Sequence, residues 1–315
     1  MKISGFTFMR NTSSLYYPFV ESIKSILPIV DEFVIAMGDN NPDDQTESMV
    51  RNINSNKIKI LSTKWDLEKY LNGTIYAQQT DLARKSCKGD WLFYLQSDEV
   101  LHEKYLDSVY GICKKYLDQE KVEGLLFNYK HFWGDYNHYM KSHVWYPKEI
   151  RIIRNHVDIH SYGDAQSFKM IKDFDGINYR TKLNARRLNV KEVDVCIYHY
   201  GWVRPPGMML SKDKQMASYY FDMTKVERIY QNRESLFDYG NLSKIPVFNE
   251  SHPEVMKKFM DRFDWINELH YDKEYKPNRK SLKHERWKYR ILSWIEQNLC
   301  NGRLLFGYKN WKVLK

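Results

Sequence analysis

Two rhythms of apolar and polar positions alternate along the first 130 residues. Residues 2–9 read as a strand. Positions 15–27 recur at helical spacing, with Pro18 tolerated in the first turn, and 33–37 are a short apolar run. "GDNNPDDQT" follows, dense in turn formers, and Asp44 is placed to cap a helix reaching position 54. Further strands are predicted at 57–61, 91–95 and 122–130, with helices at 74–87 and 102–117. Strands separated by helices of this length predict right-handed βαβ units and a mostly parallel sheet, hence an α/β fold. After residue 130 the rhythm changes. An aromatic, histidine-rich loop, "HFWGDYNHYMKSHVWYP", is followed by strands at 149–153 and 193–199. Helices are then predicted around 208–230, 253–270 and 281–299.

Sheets of this kind bind ligands at the carboxyl ends of their strands. Three such ends are polar here: Arg10-Asn11, Asp39-Asn40, and Gln96-Ser97-Asp98-Glu99. The last closes "WLFYLQSDEV", where a strand apolar on both faces runs straight into two carboxylates. Asp98 also suits the start of the following helix as a cap, a structural role that competes with ligand binding.

Composition narrows the class. The chain has 315 residues, 43% of them hydrophobic, enough for one large domain plus an extension, or for two domains. Its four cysteines form no C-x-x-C pair, which argues against structural zinc and a disulfide framework and fits a reducing compartment. "MKISGFTFMRN" lacks the apolar core of a signal peptide, and no run reaches the roughly 20 apolar residues that span a bilayer. A cytoplasmic protein is expected. The net charge of +9 is unevenly spread: residues 271–315 hold twelve Lys or Arg against four Asp or Glu. A nearly neutral body with a basic tail points to an anionic surface as the tail's partner.

The glycine-rich cradles of dinucleotide-binding and P-loop enzymes are both missing. A sheet enzyme without them can hold a diphosphate through a divalent metal bound by carboxylates such as Asp98 or Glu99. The strand ending in "RN", then "FVIAMGDNNPDDQT", then "ARKSCKGDWLFYLQSDEVL" occur in an order that resembles family 2 type glycosyltransferases of the Rossmann-like GT-A fold. The resemblance covers the first 200 residues or so, and the third piece resembles the stretch carrying that family's D-x-D motif. The first Asp of the motif is Gln96 here, which leaves the metal requirement open.

The resemblance implies roles. Asp98 would ligate Mn²⁺ or Mg²⁺ bridging the diphosphate of a UDP- or GDP-sugar, with Gln96 and Ser97 beside it. Asp39 would contact the base or ribose, and Arg84 would reach a phosphate or else sit on a solvated helix face. His199 would complete the metal shell, as a late histidine does in some such enzymes. The catalytic base would be Asp164 in "SYGDAQSF", with Glu149 second, unless Glu149 pairs with Arg151 or Arg154.

Arg204 and Lys212 follow His199 in a basic, proline-hinged segment that could close over a leaving diphosphate. His131, His138, His143, His156 and His160 show no metal-ligand spacing. With Trp133, Tyr136 and Trp145 they read as a loop whose rings stack on a sugar acceptor, a glycan or glycolipid. Residues 1–225 are read as the catalytic domain and 226–315 as a basic helical extension. There, Trp287, Ile291, Trp294, Ile295 and Leu299 fall on one helical stripe, suited either to packing on the body or to an anionic membrane surface.

Two other classes compete. A sugar nucleotidyltransferase would need a glycine-rich basic loop after the first strand, and "FMRNTSSLYY" has no glycine. A non-enzymatic binder of an anionic surface could use the tail, but no nucleic-acid recognition motif accompanies it, and no nucleic-acid partner is expected.

Overall fold

A computed structural model describes residues 1–231, 236–307 and 309–315. Its strands, in chain order, are β1 (Ile3–Met9), β2 (Glu32–Met37), β3 (Ile58–Ser62), β4 (Trp91–Tyr94), β5 (Glu99–Leu101), β6 (Gly124–Trp133), β7 (Tyr139–Met140), β8 (Lys148–Arg154), β9 (Ile159–Tyr162), β10 (Ser167–Ile171), β11 (Ala185–Trp202) and β12 (Trp311–Val313). The α-helices are α1 (Phe19–Ile26), α2 (Thr46–Arg51), α3 (Thr74–Lys85), α4 (Leu106–Lys115), α5 (Pro206–Ser218), α6 (Met223–Tyr230), α7 (Lys257–Met260) and α8 (Trp287–Asn298).

The main path of the sheet runs β3-β2-β1-β4-β8-β6-β11-β10-β9. Strands β3, β2, β1 and β4 are parallel, as are β6 and β11, while β8 runs against both its neighbours. Helices flank the sheet, α3 packing on β1 and β2 and α1 on β5. This mixed α/β architecture is consistent with a GT-A, Rossmann-like fold. Burial explains why the early strands read as unbroken apolar runs. Trp91, Phe93 and Leu95 belong to one core, whereas Leu92 and Tyr94 belong to another. A strand covered on both faces needs no polar side.

Several elements depart from the expected ones. Positions 15–27 split into a 3-10 turn at Ser13–Leu15 and α1, with Pro18 capping α1. Asp44 accepts from Thr46 N (2.9 Å) and Ser13 Oγ (2.6 Å), so it ties the β2–α2 turn to the end of β1. His102, not Asp98, caps the helical stretch that leads into α4. Strands β5, β7, β9, β10 and β12 were not expected, and β6 runs on into the histidine-rich loop.

A third core joins that loop to the C-terminal part. Phe132, Trp133, Tyr136 and Tyr200 pack with Tyr239, Phe248, Phe259 and Trp265, so residues from both sides of position 226 share it.

Candidate active site

Strand register brings distant residues together. His199 on β11 lies opposite Glu99 on β5 in antiparallel pairing, and opposite His131 on β6 in parallel pairing. Tyr200 N donates to Asp98 O at 2.8 Å. These pairings put the His199 imidazole beside the Asp98 carboxylate, with Nε2 and Oδ2 3.6 Å apart. Lys212 of α5 reaches the same corner. Its Nζ is 3.8 Å from Asp98 Oδ2 and donates to Gly201 O at 2.6 Å. All three side chains are buried.

They line a cavity of about 310 Å³ at the carboxyl ends of β1 and β4. Phe8, Arg10, Trp65, Tyr76, Gln96, Ser97, Tyr146, Asp164, Gln166, Trp202, Tyr219 and Tyr220 are among the other residues around it. One wall is aromatic. Trp65 meets Phe8, Tyr76 and Tyr219 at ring separations of 5.9, 5.6 and 5.6 Å, and its buried Nε1 has no hydrogen-bond partner among the described residues. An apolar wall with an unmet donor suits a flat polar ring such as a nucleobase.

The electrostatics favour an anion held among cations. Burial opposes the charge on Asp98, but His199, Lys212 and Arg204 outweigh it and hold the carboxyl well below the usual carboxylate range. Burial and then Arg204 pull the Lys212 amine down to about 7, against Asp98. Arg204 is wholly buried. Its Nη1 donates to Leu15 O at 2.6 Å, its guanidinium lies 4.4 Å from the Tyr17 ring centre, and its Nε and Nη2 have no hydrogen-bond acceptor among the described residues.

A hydrogen-bond chain sets the His199 tautomer. The Tyr146 carbonyl can only accept, so His131 Nε2, at 2.7 Å, carries a proton. Burial, reinforced by His199, holds the His131 pKa well below the ordinary histidine value, so the ring is neutral and its Nδ1 accepts. His199 Nδ1 therefore donates across 2.9 Å, and His199 Nε2 is left for Asp98. In the imidazolium that depresses Asp98 a proton on Nε2 fills that place; in the neutral ring two acceptors stand 3.6 Å apart and call for a cation between them. Oxygen and nitrogen ligands of one divalent ion, each about 2.1–2.3 Å from it, can stand that far apart. Gly201 keeps the space clear, since a Cβ there would meet Asp98 Oδ2 at 2.5 Å and His199 Nε2 at 2.7 Å. No group of three or more His, Cys, Asp or Glu among the described residues forms a metal cage. Asp98 and His199 thus offer one oxygen and one nitrogen donor, which fit a shared divalent cation.

Asp164 lines the same cavity, in the turn between β9 and β10. Gly163 and Ala165 on either side both take left-handed backbone, at φ 69° and 64°. Its Oδ2 accepts from Tyr220 Oη at 3.0 Å, and Ala165 O lies 3.4 Å from Gln96 Nε2, which links this turn to the end of β4.

Other expected site residues lie outside the lining. Asn11, at φ 52°, stitches loops together by donating from N to Asn40 Oδ1 and accepting from Asn41 N, each at 2.7 Å. Asp39 is exposed. It accepts from Trp65 N at 3.2 Å and faces Arg10 Nε at the same distance, so it positions two residues that do line the cavity.

Arg84 neither reaches a phosphate nor lies on a solvated face. It is buried on Asp81 at 3.0 Å, and His160 holds that carboxylate's other oxygen at 2.7 Å. Glu149 is buried on β8 and accepts from Ile150 N, while its expected partner Arg151 forks onto Glu99 instead at 2.8 and 2.7 Å. That pairing, with a bond from Tyr129 Oη, also takes Glu99 away from ligand duty.

The acceptor-stacking reading of Trp133 and Tyr136 is corrected. Both are buried, and Trp133 Nε1 donates to Tyr239 O at 2.9 Å. Trp145 is half-buried against Trp133 and Trp202 and outside the cavity lining.

No protein-family model matches the sequence, and no curated protein matches it significantly. Solved structures similar to it include that of S. aureus TarS, 16% identical over 75% of this chain and 41% of that one, with a TM-score of 0.39. TarS 1–349 in complex with UDP-GlcNAc is 17% identical over 73% and 70% of the two chains, TM-score 0.38. Glucosyl-3-phosphoglycerate synthase from Mycobacterium tuberculosis, with Mn²⁺, UDP and phosphoglyceric acid, is 16% identical over 41% and 42%, TM-score 0.27. The chain spans 41% of the full TarS structure's length. Likeness this slight assigns no activity, and the residues must carry the functional reading.

Proposed function

We propose that the chain is a glycosyltransferase. It moves a sugar from a nucleotide-diphosphate donor, a UDP- or GDP-sugar, to a hydroxyl of a glycan, lipid-linked or protein-linked acceptor, with inversion. The observation that carries this reading is the meeting of Asp98, His199 and Lys212 at the end of β4, in one cavity that aromatic residues also line. The nucleobase lies against Trp65 and Tyr76, and the diphosphate lies toward Lys212.

Asp98 and His199 would hold Mn²⁺ or Mg²⁺, which supplies positive charge to the diphosphate when bound. Lys212, with Arg204 behind it, adds positive charge where the leaving group gains negative charge. Asp164 takes the proton from the acceptor hydroxyl as its oxygen bonds to the anomeric carbon and the bond to the diphosphate breaks. Tyr220 orients that carboxylate through its hydrogen bond.

The test is a donor-hydrolysis screen with UDP-, GDP- and CMP-sugars, with Mn²⁺, with Mg²⁺ and with EDTA. Release of nucleotide diphosphate from one donor class, lost in Asp98→Asn, is expected. Release of pyrophosphate from a nucleoside triphosphate and a sugar phosphate would replace this reading with nucleotidyl transfer.

A further inference from the structure

Helix α8 is seated the wrong way round for a helix that only packs. Ordinary amphipathic helices bury the apolar stripe. Here the buried residues are Ser293 and Glu296. His143 N donates to Ser293 Oγ at 2.9 Å, His143 Nδ1 meets Glu296 Oε1 at 2.7 Å, and Leu305 N donates to that same oxygen at 2.7 Å. A polar face therefore fastens the helix to the body. The opposite face turns Trp287, Ile291 and Trp294 to solvent at 75%, 53% and 59% exposure, and Leu299 and Phe306 beyond it are 68% and 96% exposed.

The flanks of that face are basic. Lys283, Arg286, Lys288 and Arg290 are all exposed. The two acids of the stretch are withdrawn from it, Glu285 onto Arg279 at 2.8 and 2.9 Å and Glu296 into the body. A second cavity, about 710 Å³, opens beside the helix and takes Lys141, Lys244, Arg290 and Trp294 into its lining.

We infer that α8 and the segment after it dock the protein on an anionic lipid bilayer. Trp287, Ile291 and Trp294 enter the headgroup–acyl boundary, and the flanking cations lie over the phosphates. Exposed tryptophans ringed by cations suit that boundary, where one side is apolar and the other wet. A second copy of the chain fits less well. A two-fold contact through this face would set each basic flank against its own copy, and like charges in juxtaposition oppose association. No helix among the described residues is long and apolar enough to cross a membrane, so the contact is with the surface.

The experiment is vesicle flotation of the full chain. Vesicles of phosphatidylcholine alone are compared with vesicles that also contain phosphatidylglycerol, at low and high salt. Binding to the anionic vesicles only, weakened by salt, is expected. Trp287→Ser/Ile291→Ser/Trp294→Ser should abolish it, with melting temperature and nucleotide binding unchanged, because these side chains are exposed. Lys283→Gln/Arg286→Gln/Lys288→Gln/Arg290→Gln should weaken partitioning by roughly 600-fold, each cation near the surface counting for roughly fivefold. Absence of binding, or binding that ignores lipid charge and both variants, would overturn the inference. So would a dimer in sedimentation that the tryptophan variant dissolves, since a second copy would then cover the face.

Discussion

Asp98 Oδ2 and His199 Nε2 stand 3.6 Å apart, and the α-carbon of Gly201 faces the gap between them. Contacts of 2.5 and 2.7 Å from a Cβ at position 201 are too short for either group to stay in place. Both side chains are buried, and His199 is also tied to His131, so neither moves without loss. Gly201→Ala should therefore weaken Mn²⁺-dependent UDP binding by at least about tenfold in calorimetry, the lower end for disturbed metal shells. Unchanged affinity would mean that nothing binds between the two groups.

His131 does not itself line the cavity, yet it decides which nitrogen of His199 keeps its lone pair. His131→Phe removes the acceptor for His199 Nδ1–H and frees the other tautomer. Mn²⁺ affinity, read from the electron paramagnetic resonance of free ion, should fall about 10–100-fold. His131→Gln should retain most of it. Its amide oxygen can accept from His199 while its nitrogen donates to the Tyr146 carbonyl, reproducing the polarity of the chain. Equal affinity in the Phe and Gln variants would remove His131 from the metal's support.

Strands β2 and β4 were legible because burial on both faces turns them into short apolar runs that need no distant partner to be recognised. Even the acidic turn at Asp98 stood out, since it interrupts such a run. What sequence could not show is pairing. His131 and His199 are 68 positions apart and meet only through the β6–β11 register. Arg84 has Asp81 three residues before it, but nothing local announces that His160, on β9, fixes that carboxylate in a buried site. Trp133 and Tyr136 look the same in sequence whether they stack on a sugar or on Tyr239 and Phe263. The stripe of α8 was equally plain, but which of its faces meets the body depends on His143, 150 residues away from Ser293. Trp65 and Gly201 belong to no motif. Their roles come from the wall and the gap they form.

Asp164 and Tyr220 form the proposed proton-accepting side, linked at 3.0 Å. Loss of a general base costs on the order of 10² in kcat. Asp164→Ala should show that loss with KM for the donor little changed, because the donor's contacts lie on other residues. Tyr220→Phe, which keeps the ring, should lower kcat by a smaller factor by leaving the carboxylate free to turn. Proton NMR of the first product formed should show the anomeric configuration inverted. Retention would overturn the role given to Asp164.

Glu149 offers a measurement of stability independent of the reaction. Burial raises its carboxyl to about 7, against the opposing pull of Arg151 and hydrogen bonds from Ser167, Ile150 and Gln166. In the unfolded chain a glutamate titrates near 4.3. Between about pH 4 and pH 7 the native state thus binds more protons than the unfolded one, and stability falls as pH rises through that window. The contribution is fully present below the unfolded value and is lost once pH passes the folded one. Its size is at most about 4 kcal/mol. Glu149→Gln keeps the shape and the acceptor for Ile150 N but cannot ionise. Against the parent, the variant should gain stability as pH is raised from about 4 to about 8, by up to roughly 4 kcal/mol, in urea unfolding. Groups that titrate in both proteins cancel in this difference, so its slope reports position 149 alone. A difference that stays constant across the window would show that Glu149 is ionised throughout and that burial does not govern it.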